Sequence, residues 1–130
     1  MSTILLIDDS RFMRIANERA LSRAGYTVIG TDDGQKGIEL ARQKRPDVIL
    51  LDMLLPKVSG TEVLRELKSD PQTSSIPVIV FTSLSEKNKA KLIRDGALDF
   101  LEKSDALLNH GSAMLIKAVG KAVGEKADVQ

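Results

Sequence analysis

The aspartate at position 52 directly follows an apolar run, Val48–Leu51. A segment that is apolar at every position is typical of a strand covered on both faces, in the middle of a parallel sheet between helix layers. Asp52 is then a carboxylate at the carboxyl end of a central strand. Ligands bind at this edge of open α/β sheets, near the point where the strand order reverses, so the sequence predicts a functional site around Asp52.

Three further apolar segments also end in polar residues. The first is followed by Asp8 and Asp9, the second by Thr82, and the third by an acidic residue and Lys103. Because the carboxyl ends of parallel strands lie at one edge of the sheet, we expect these side chains to converge on Asp52.

The acidic residues of this set predict a metal site. Carboxylates held close together repel, and one of them takes up a proton unless a cation neutralises them. A small site with few carboxylates and only oxygen ligands suits Mg²⁺ better than Ca²⁺. The chain has no cysteine, and its one histidine, His110, lies outside the set, which argues against softer metals. Asp8 and Asp9 are best placed to hold Mg²⁺.

A magnesium ion beside an aspartate, a hydroxyl and a lysine is an arrangement suited to phosphoryl transfer. The metal and the ammonium neutralise phosphoryl oxygens, the hydroxyl donates a hydrogen bond, and a carboxylate can be the nucleophile that becomes an acyl phosphate. Asp52 is the predicted nucleophile because it follows the central strand, whereas the acidic pair is better placed to hold the metal.

Helical segments separate the strands along the chain. Strands are predicted at residues 3–7, 26–30, 48–51, 76–81 and 98–101. Strands that alternate with helices imply right-handed parallel crossovers, hence an α/β fold with a doubly wound parallel sheet and helices on both of its faces. The expected domain covers residues 1–125, and residues 126–130 are expected to be a frayed tail.

The first helix is predicted between Ser10, which can cap it, and Gly25, which ends it. Its apolar residues at three-to-four spacing predict an inward face made of Phe12, Met13, Ala16, Ala20 and Ala24. In the last helix the same spacing selects Leu115, Ala118, Val119, Ala122 and Val123.

Composition excludes several classes of function. The net charge is +1 and no run of lysine or arginine is present, which argues against direct nucleic-acid binding. The apolar runs are too short for a membrane span, and the N-terminus lacks the pattern of a signal peptide. A cytoplasmic protein without membrane contact is the expectation.

With these motifs in order, the sequence resembles a receiver domain of two-component response regulators, of the single-domain, chemotaxis-regulator-like type. The matching positions are Asp8, Asp9, Asp52, Pro56, Gly60, Thr82, Phe100 and Lys103. No single match is specific, but all of them in order, at strand ends, are highly specific. The resemblance implies a flavodoxin-like fold with five helices and the strand order 2-1-3-4-5.

The resemblance also implies a chemistry. Asp52 is expected to accept a phosphoryl group from a histidine kinase or phosphotransfer protein, and Thr82 and Lys103 to contact that group. The implied Mg²⁺ ligands are the carboxylates of Asp8, Asp9 and Asp52 and the backbone carbonyl of Leu54. Catalysis is expected to be limited to the domain's own phosphorylation and dephosphorylation.

The implied output is a packing switch. Thr82 is expected to move toward the phosphoryl group, and Phe100 to turn inward into the vacated space. This reshapes the face formed by the fourth helix, fifth strand and fifth helix, where a downstream protein is expected to bind. The resemblance leaves open a monomer or a homodimer promoted by phosphorylation.

The sequence departs from the family pattern in two places. Ser104 stands where the family usually has a cis proline, so the loop over residues 104–111 is expected to be trans and differently shaped. Leu54 and Leu84 stand where polar residues are common. They are expected to flank the path of the hydrolytic water and to shield the phosphoryl group, which slows its loss.

Two other functions remain open. One is a pseudo-receiver, a protein-binding module of the same fold that takes no phosphate, which is disfavoured because every acidic, hydroxyl and lysine position is present. The other is an aspartate-nucleophile phosphatase of the haloacid-dehalogenase type. That class needs a second aspartate two residues after the nucleophile, where this chain has Leu54.

Overall fold

The computed structural model describes residues 2–103 and 113–124. A five-stranded sheet runs through the middle of the domain in the order β2-β1-β3-β4-β5, and every neighbouring pair is parallel. The strands are β1 (Thr3–Ile7), β2 (Thr27–Thr31), β3 (Val48–Leu51), β4 (Val78–Thr82) and β5 (Asp99–Glu102). The predicted doubly wound, flavodoxin-like sheet is confirmed.

The described residues contain five α-helices, as predicted. They are α1 (Arg11–Arg23), α2 (Gly34–Lys44), α3 (Gly60–Ser69), α4 (Lys89–Arg94) and α5 (Ala113–Ala122), and a 3₁₀ turn, Glu86–Asn88, precedes α4. Side chains that accept hydrogen bonds from free N–H groups of the first turn cap α1 to α3 and the 3₁₀ turn. The capping residues are Ser10, Asp33, Ser59 and Ser85. No helix within these ranges is long and apolar enough to cross a lipid bilayer.

Two apolar clusters cover the two faces of the sheet. One contains residues of α2, α3 and α4, and the other contains residues of α1 and α5. The central strand β3 contributes to both, because Ile49 and Leu51 belong to the first cluster and Val48 and Leu50 to the second. All four side chains are fully buried. This two-sided burial explains why the strand is apolar at every position.

The predicted inward face of α1 is wrong in most of its residues. Met13, Asn17 and Leu21 are the buried residues of this helix, whereas Phe12 is 74% exposed. Positions 13, 17 and 21 are separated by four residues and therefore lie on one side of a helix. The polar Asn17 interrupts the apolar pattern on that side. The apolar spacing therefore favours a different side of the helix, which contains the alanines.

Three strands begin later than predicted. Tyr26 still lies in the turn that closes α1, since its N–H donates to the Leu21 carbonyl. Ile76 closes a turn through its N–H and the Thr73 carbonyl, so β4 starts only after it. Strand β5 begins one residue later than predicted. The predictions about the 104–111 loop, His110 and the 126–130 tail fall outside the described residues.

Candidate functional site

Three charged side chains meet at the carboxyl edge of the sheet. The Lys103 Nζ lies 2.9 Å from Asp52 Oδ2 and donates a hydrogen bond to it. The same nitrogen donates to Asp8 Oδ1 at 3.0 Å and lies 2.9 Å from Asp8 Oδ2. One ammonium therefore joins the ends of three strands.

The sheet register brings the two aspartates together. Ile7 and Leu51 are paired residues of the adjacent strands β1 and β3, so Asp8 and Asp52 leave the sheet side by side. The Asp52 N–H donates to the Ile7 carbonyl at 3.0 Å, which extends the ladder by one more bond. Because the strand order reverses between β1 and β3, the pair lies where ligands bind in folds of this type.

The backbone orients each carboxylate. The Ser10 N–H donates to Asp8 Oδ1 at 2.9 Å, and the Leu54 N–H donates to Asp52 Oδ1 at 3.1 Å. In both cases the donor follows the aspartate by two residues, which is the pattern of an Asx turn. These turns hold the two carboxylates at the ends of their strands, where Lys103 reaches them.

Burial dominates the electrostatics of this group. Asp8, Asp52 and Lys103 are 1%, 5% and 7% exposed. Burial raises the pKa of the Asp8 carboxyl, and the hydrogen bonds from Lys103 and from the Ser10 N–H oppose that rise. With both carboxylates ionised, the single ammonium leaves one negative charge uncompensated. The net negative charge of this group therefore favours the binding of a further cation.

Asp9 lies apart from the charged group. Its side chain is exposed and lines a cavity of about 110 Å³ together with acidic and backbone-turn residues of the neighbouring loops. The other residues that line this cavity are Asp32, Asp33, Gly34, Pro56 and Lys57. Within residues 2–103 and 113–124, no three carboxylate or imidazole groups are close enough together to hold a metal ion.

The residues present still fit a hard divalent cation. The Asp8 Oδ2 atom is buried and accepts no hydrogen bond from the described part of the chain, although it lies close to the Lys103 ammonium. A buried carboxylate oxygen that meets only a shared ammonium among the described residues is the kind of ligand that Mg²⁺ takes. Asp9 completes such a set only if its side chain turns inward.

Thr82 and Phe100 lie on neighbouring strands beside this group. Thr82 is the last residue of β4 and is fully buried, and its hydroxyl oxygen accepts from the Leu84 N–H at 3.3 Å. Phe100 on β5 is also buried. In this structure the phenylalanine thus already has the inward position that the predicted switch assigns to the active state.

The two leucines near the site differ in exposure. Leu54, two residues after Asp52, is 49% exposed. Leu84 is partly buried and packs against the apolar cluster of α2, α3 and α4. Leu54 thus presents apolar surface to solvent beside Asp52, and Leu84 joins the core.

Three residues contribute to the site in ways that sequence reasoning missed. A Cβ at Gly60 would lie 2.6 Å from the Asp52 carbonyl oxygen, so only glycine allows α3 to start this close to the strand end. The Arg14 guanidinium donates to the Asp8 carbonyl at 2.9 Å. The Phe81 ring lies below Lys103, with its centroid 5.9 Å from Nζ. The sequence marks Gly60 as a family position and as the start of a helix but not as a contact of Asp52, and the contacts of Arg14 and Phe81 carry no sequence signal.

Comparison with known proteins agrees with this geometry. The chain is 38% identical to protein PilH of Pseudomonas aeruginosa over 104 residues, which cover 79% of this chain and 86% of PilH. It is 41% identical to the DNA-binding dual master transcriptional regulator RpaA of Synechocystis, over 79% of this chain but only 43% of RpaA. This chain therefore corresponds to less than half of the second relative.

A solved structure shows the same fold. The Mn²⁺-bound form of the response regulator Rcp1 superimposes with a TM-score of 0.82 at 27% identity, covering 95% of this chain and 96% of Rcp1. The family model for the response regulator receiver domain matches residues 4–110. With Asp8, Asp52 and Lys103 joined at the carboxyl edge of a 2-1-3-4-5 sheet, this chain belongs to the receiver domain family of two-component response regulators.

Proposed function

We propose that this receiver domain accepts a phosphoryl group on Asp52 from a histidine kinase or a phosphotransfer protein. The observation that carries the proposal is the Lys103 ammonium, buried and 2.9 Å from the Asp52 carboxylate. An ammonium in this position stabilises the charge that develops on a phosphoryl oxygen when the carboxylate attacks phosphorus.

The transfer is a nucleophilic displacement at phosphorus. An Asp52 oxygen forms the new P–O bond while the P–N bond to the donor imidazole breaks, and the imidazole nitrogen keeps the bonding electron pair and takes up a proton. Asp8, Asp9, Asp52 and the Leu54 carbonyl are the residues that would hold Mg²⁺, which when bound neutralises phosphoryl oxygens. The Leu54 N–H fixes the orientation of the attacking carboxylate through its bond to Oδ1.

Output in this proposal begins at Thr82. Its hydroxyl, which accepts from the Leu84 N–H here, turns to donate to the phosphoryl group, and the loop after β4 follows. Phe100 holds its buried position in the signalling state, and the face of α4, β5 and α5 binds a downstream protein. The active form is a monomer or a homodimer promoted by phosphorylation.

Mass spectrometry after incubation with acetyl phosphate and Mg²⁺ tests the phosphoacceptor. Wild type is expected to gain one phosphoryl group and Asp52→Asn none. Asp32→Asn is the matched control, because it removes an exposed carboxylate from the same edge of the sheet and is expected to react as wild type does. Equal incorporation in Asp52→Asn and wild type would overturn the assignment, and no incorporation in wild type would favour the pseudo-receiver.

We also propose that Leu54 and Leu84 shield the phosphoryl group from water. Neither side chain can hydrogen-bond the attacking water, and an increase of about 1.4 kcal/mol in the barrier slows hydrolysis tenfold. Leu54, which is half exposed beside Asp52, is expected to contribute more than Leu84. Loss of phosphate from wild type, Leu54→Asn and Leu84→Glu measures this, and unchanged rates in both folded variants would contradict the proposal.

A further inference from the structure

The Lys103 side chain must cross a neighbouring strand to reach the carboxylates that it contacts. It follows β5, whereas its partners Asp52 and Asp8 follow β3 and β1, and β4 lies between. Adjacent strands are about 4.8 Å apart, so the nearer partner is two strand spacings away. The lysine side chain therefore passes over the end of β4, where it meets the side chains of the last residues of that strand.

Phe81 is the residue of β4 that lies under the ammonium. Its ring centroid is 5.9 Å from Lys103 Nζ, within the distance of about 6 Å at which the electron-rich face of a ring attracts a cation. The ring is itself fixed, because Phe81 is 2% exposed and belongs to the apolar cluster that packs α1 and α5 against the sheet. Its position is therefore set by the core and not by the lysine.

The ring is a neighbour of the ammonium of a different kind from the two carboxylates. Lys103 donates hydrogen bonds to Asp8 Oδ1 and Asp52 Oδ2, and its Nζ also lies 2.9 Å from Asp8 Oδ2. An aliphatic residue at position 81 would fill similar core space but would not attract the charge. The attraction of the ring also does not depend on the charge of Asp52, which changes when that carboxylate becomes an acyl phosphate.

We infer that Phe81 is a positioning residue for phosphoryl transfer, holding the Lys103 ammonium between Asp8 and Asp52 by a cation–π contact. This inference rests on the proposed function. Phe81 does not touch the phosphoryl group, and its effect passes entirely through the lysine. Loss of the ring is expected to let the long lysine side chain leave the site part of the time, and so to slow transfer without weakening Mg²⁺ binding.

The first test needs no phosphorylation. In metal-free protein, the ¹H–¹⁵N correlation signal of the buried Lys103 ammonium is expected to be sharp in wild type and broadened or lost in Phe81→Leu. Leu21→Ala is the matched control, because it makes a cavity in the same apolar cluster without removing the ring, and it is expected to keep the signal. A sharp signal in Phe81→Leu, or its loss in both variants, would overturn the inference.

The second test separates charge attraction from packing. Replacing Phe81 by 3,4,5-trifluorophenylalanine, inserted at this site alone, keeps a ring but removes most of its attraction for cations. The phosphorylation rate with acetyl phosphate at saturating Mg²⁺ is expected to fall about three- to tenfold while the Kd for Mg²⁺ does not rise. If Asp52 is phosphorylated at an unchanged rate in this variant, the inference about Phe81 is refuted. The proposed function is not affected by that result, because it depends only on whether Asp52 is phosphorylated.

Discussion

The domain contains two groups of ion pairs with similar contacts and opposite electrostatics. At the carboxyl edge of the sheet, Lys103 Nζ lies 2.9 Å from Asp8 Oδ2. Between α2 and the end of α3, Arg42 Nε lies 2.6 Å from Asp70 Oδ2. The pKa of Asp8 is raised, chiefly by burial, whereas the pKa of Asp70 is lowered, chiefly by the hydrogen bond from Arg42.

Distance alone does not explain this difference. Asp8 loses nearly all of its contact with water and shares one ammonium with Asp52, so its hydrogen bonds only partly offset the cost of burying a charge. Asp70 keeps part of its contact with solvent, and its hydrogen bonds with Arg42 and the Gln72 N–H outweigh the effect of burial on its pKa. The buried group is thus held in a costly charge state that a bound cation can relieve, whereas the surface pair joins two helices at little cost.

Removing the Lys103 ammonium, which Asp8 and Asp52 share, is expected to change the free energy of unfolding most. Lys103→Met leaves two buried carboxylates without their counter-charge and should lower the free energy of unfolding by about 3 kcal/mol at pH 7. The loss should shrink near pH 4, because burial raises the pKa of Asp8 and its carboxyl takes up a proton there. Urea unfolding without divalent metal measures it, with Lys57→Met as the control at an exposed lysine nearby. Equal losses at both pH values would contradict the role assigned to burial.

Asp8→Asn is expected to raise the free energy of unfolding at pH 7, by less than Lys103→Met lowers it. The pKa of Asp8 in the folded protein lies above its value of 3.8 in the unfolded chain. The stabilisation associated with Asp8 is therefore complete below about pH 3.8 and is lost as the pH rises through the higher folded value. Metal-free Asp8→Asn should accordingly be more stable than wild type at pH 7, with little difference at pH 3. A variant that is less stable at pH 7 would count against this account.

Removing the surface ion pair between Arg42 and Asp70 is expected to change the free energy of unfolding least. Arg42 lowers the pKa of Asp70 below 3.8, so the stabilisation is present above that pH and is lost as the pH falls through the lower folded value. Arg42→Gln should therefore destabilise the domain slightly at pH 7 and less at pH 2. The effect should also weaken in 1 M salt, because exposed charges are screened. A loss of stability that is insensitive to both pH and salt would show that Arg42 acts through packing.

Sequence patterns predicted the part of the structure that depends on strand ends. Asp8, Asp52 and Lys103 could be expected to converge because parallel strands place their carboxyl ends at one edge. The inner face of α1 could not be predicted in the same way, since the buried Asn17 interrupts its apolar spacing. The separation of Asp9 from the charged group also has no sequence signal, because an acidic pair does not show which carboxylate faces inward.

The contact between Lys103 and Phe81 shows a further limit. Both residues were part of predicted strand ends, but that the lysine passes over β4 depends on the spatial order of the strands. Neither residue type nor spacing indicates such a crossing. Contacts of this kind depend on two chain segments far apart in sequence, and the pattern of either segment by itself carries no information about the other.

The turn that follows Asp52 has a consequence for how such a domain can diversify. Position 54 orients the Asp52 carboxylate through its backbone N–H, which donates to Asp52 Oδ1. Any residue except proline supplies that donor, so the chemistry leaves the side chain at this position free to vary. That side chain is also half exposed beside the Asp52 carboxylate. Under the proposed function, phosphoryl lifetime and partner choice can therefore change at this position while the orientation of the Asp52 carboxylate stays the same.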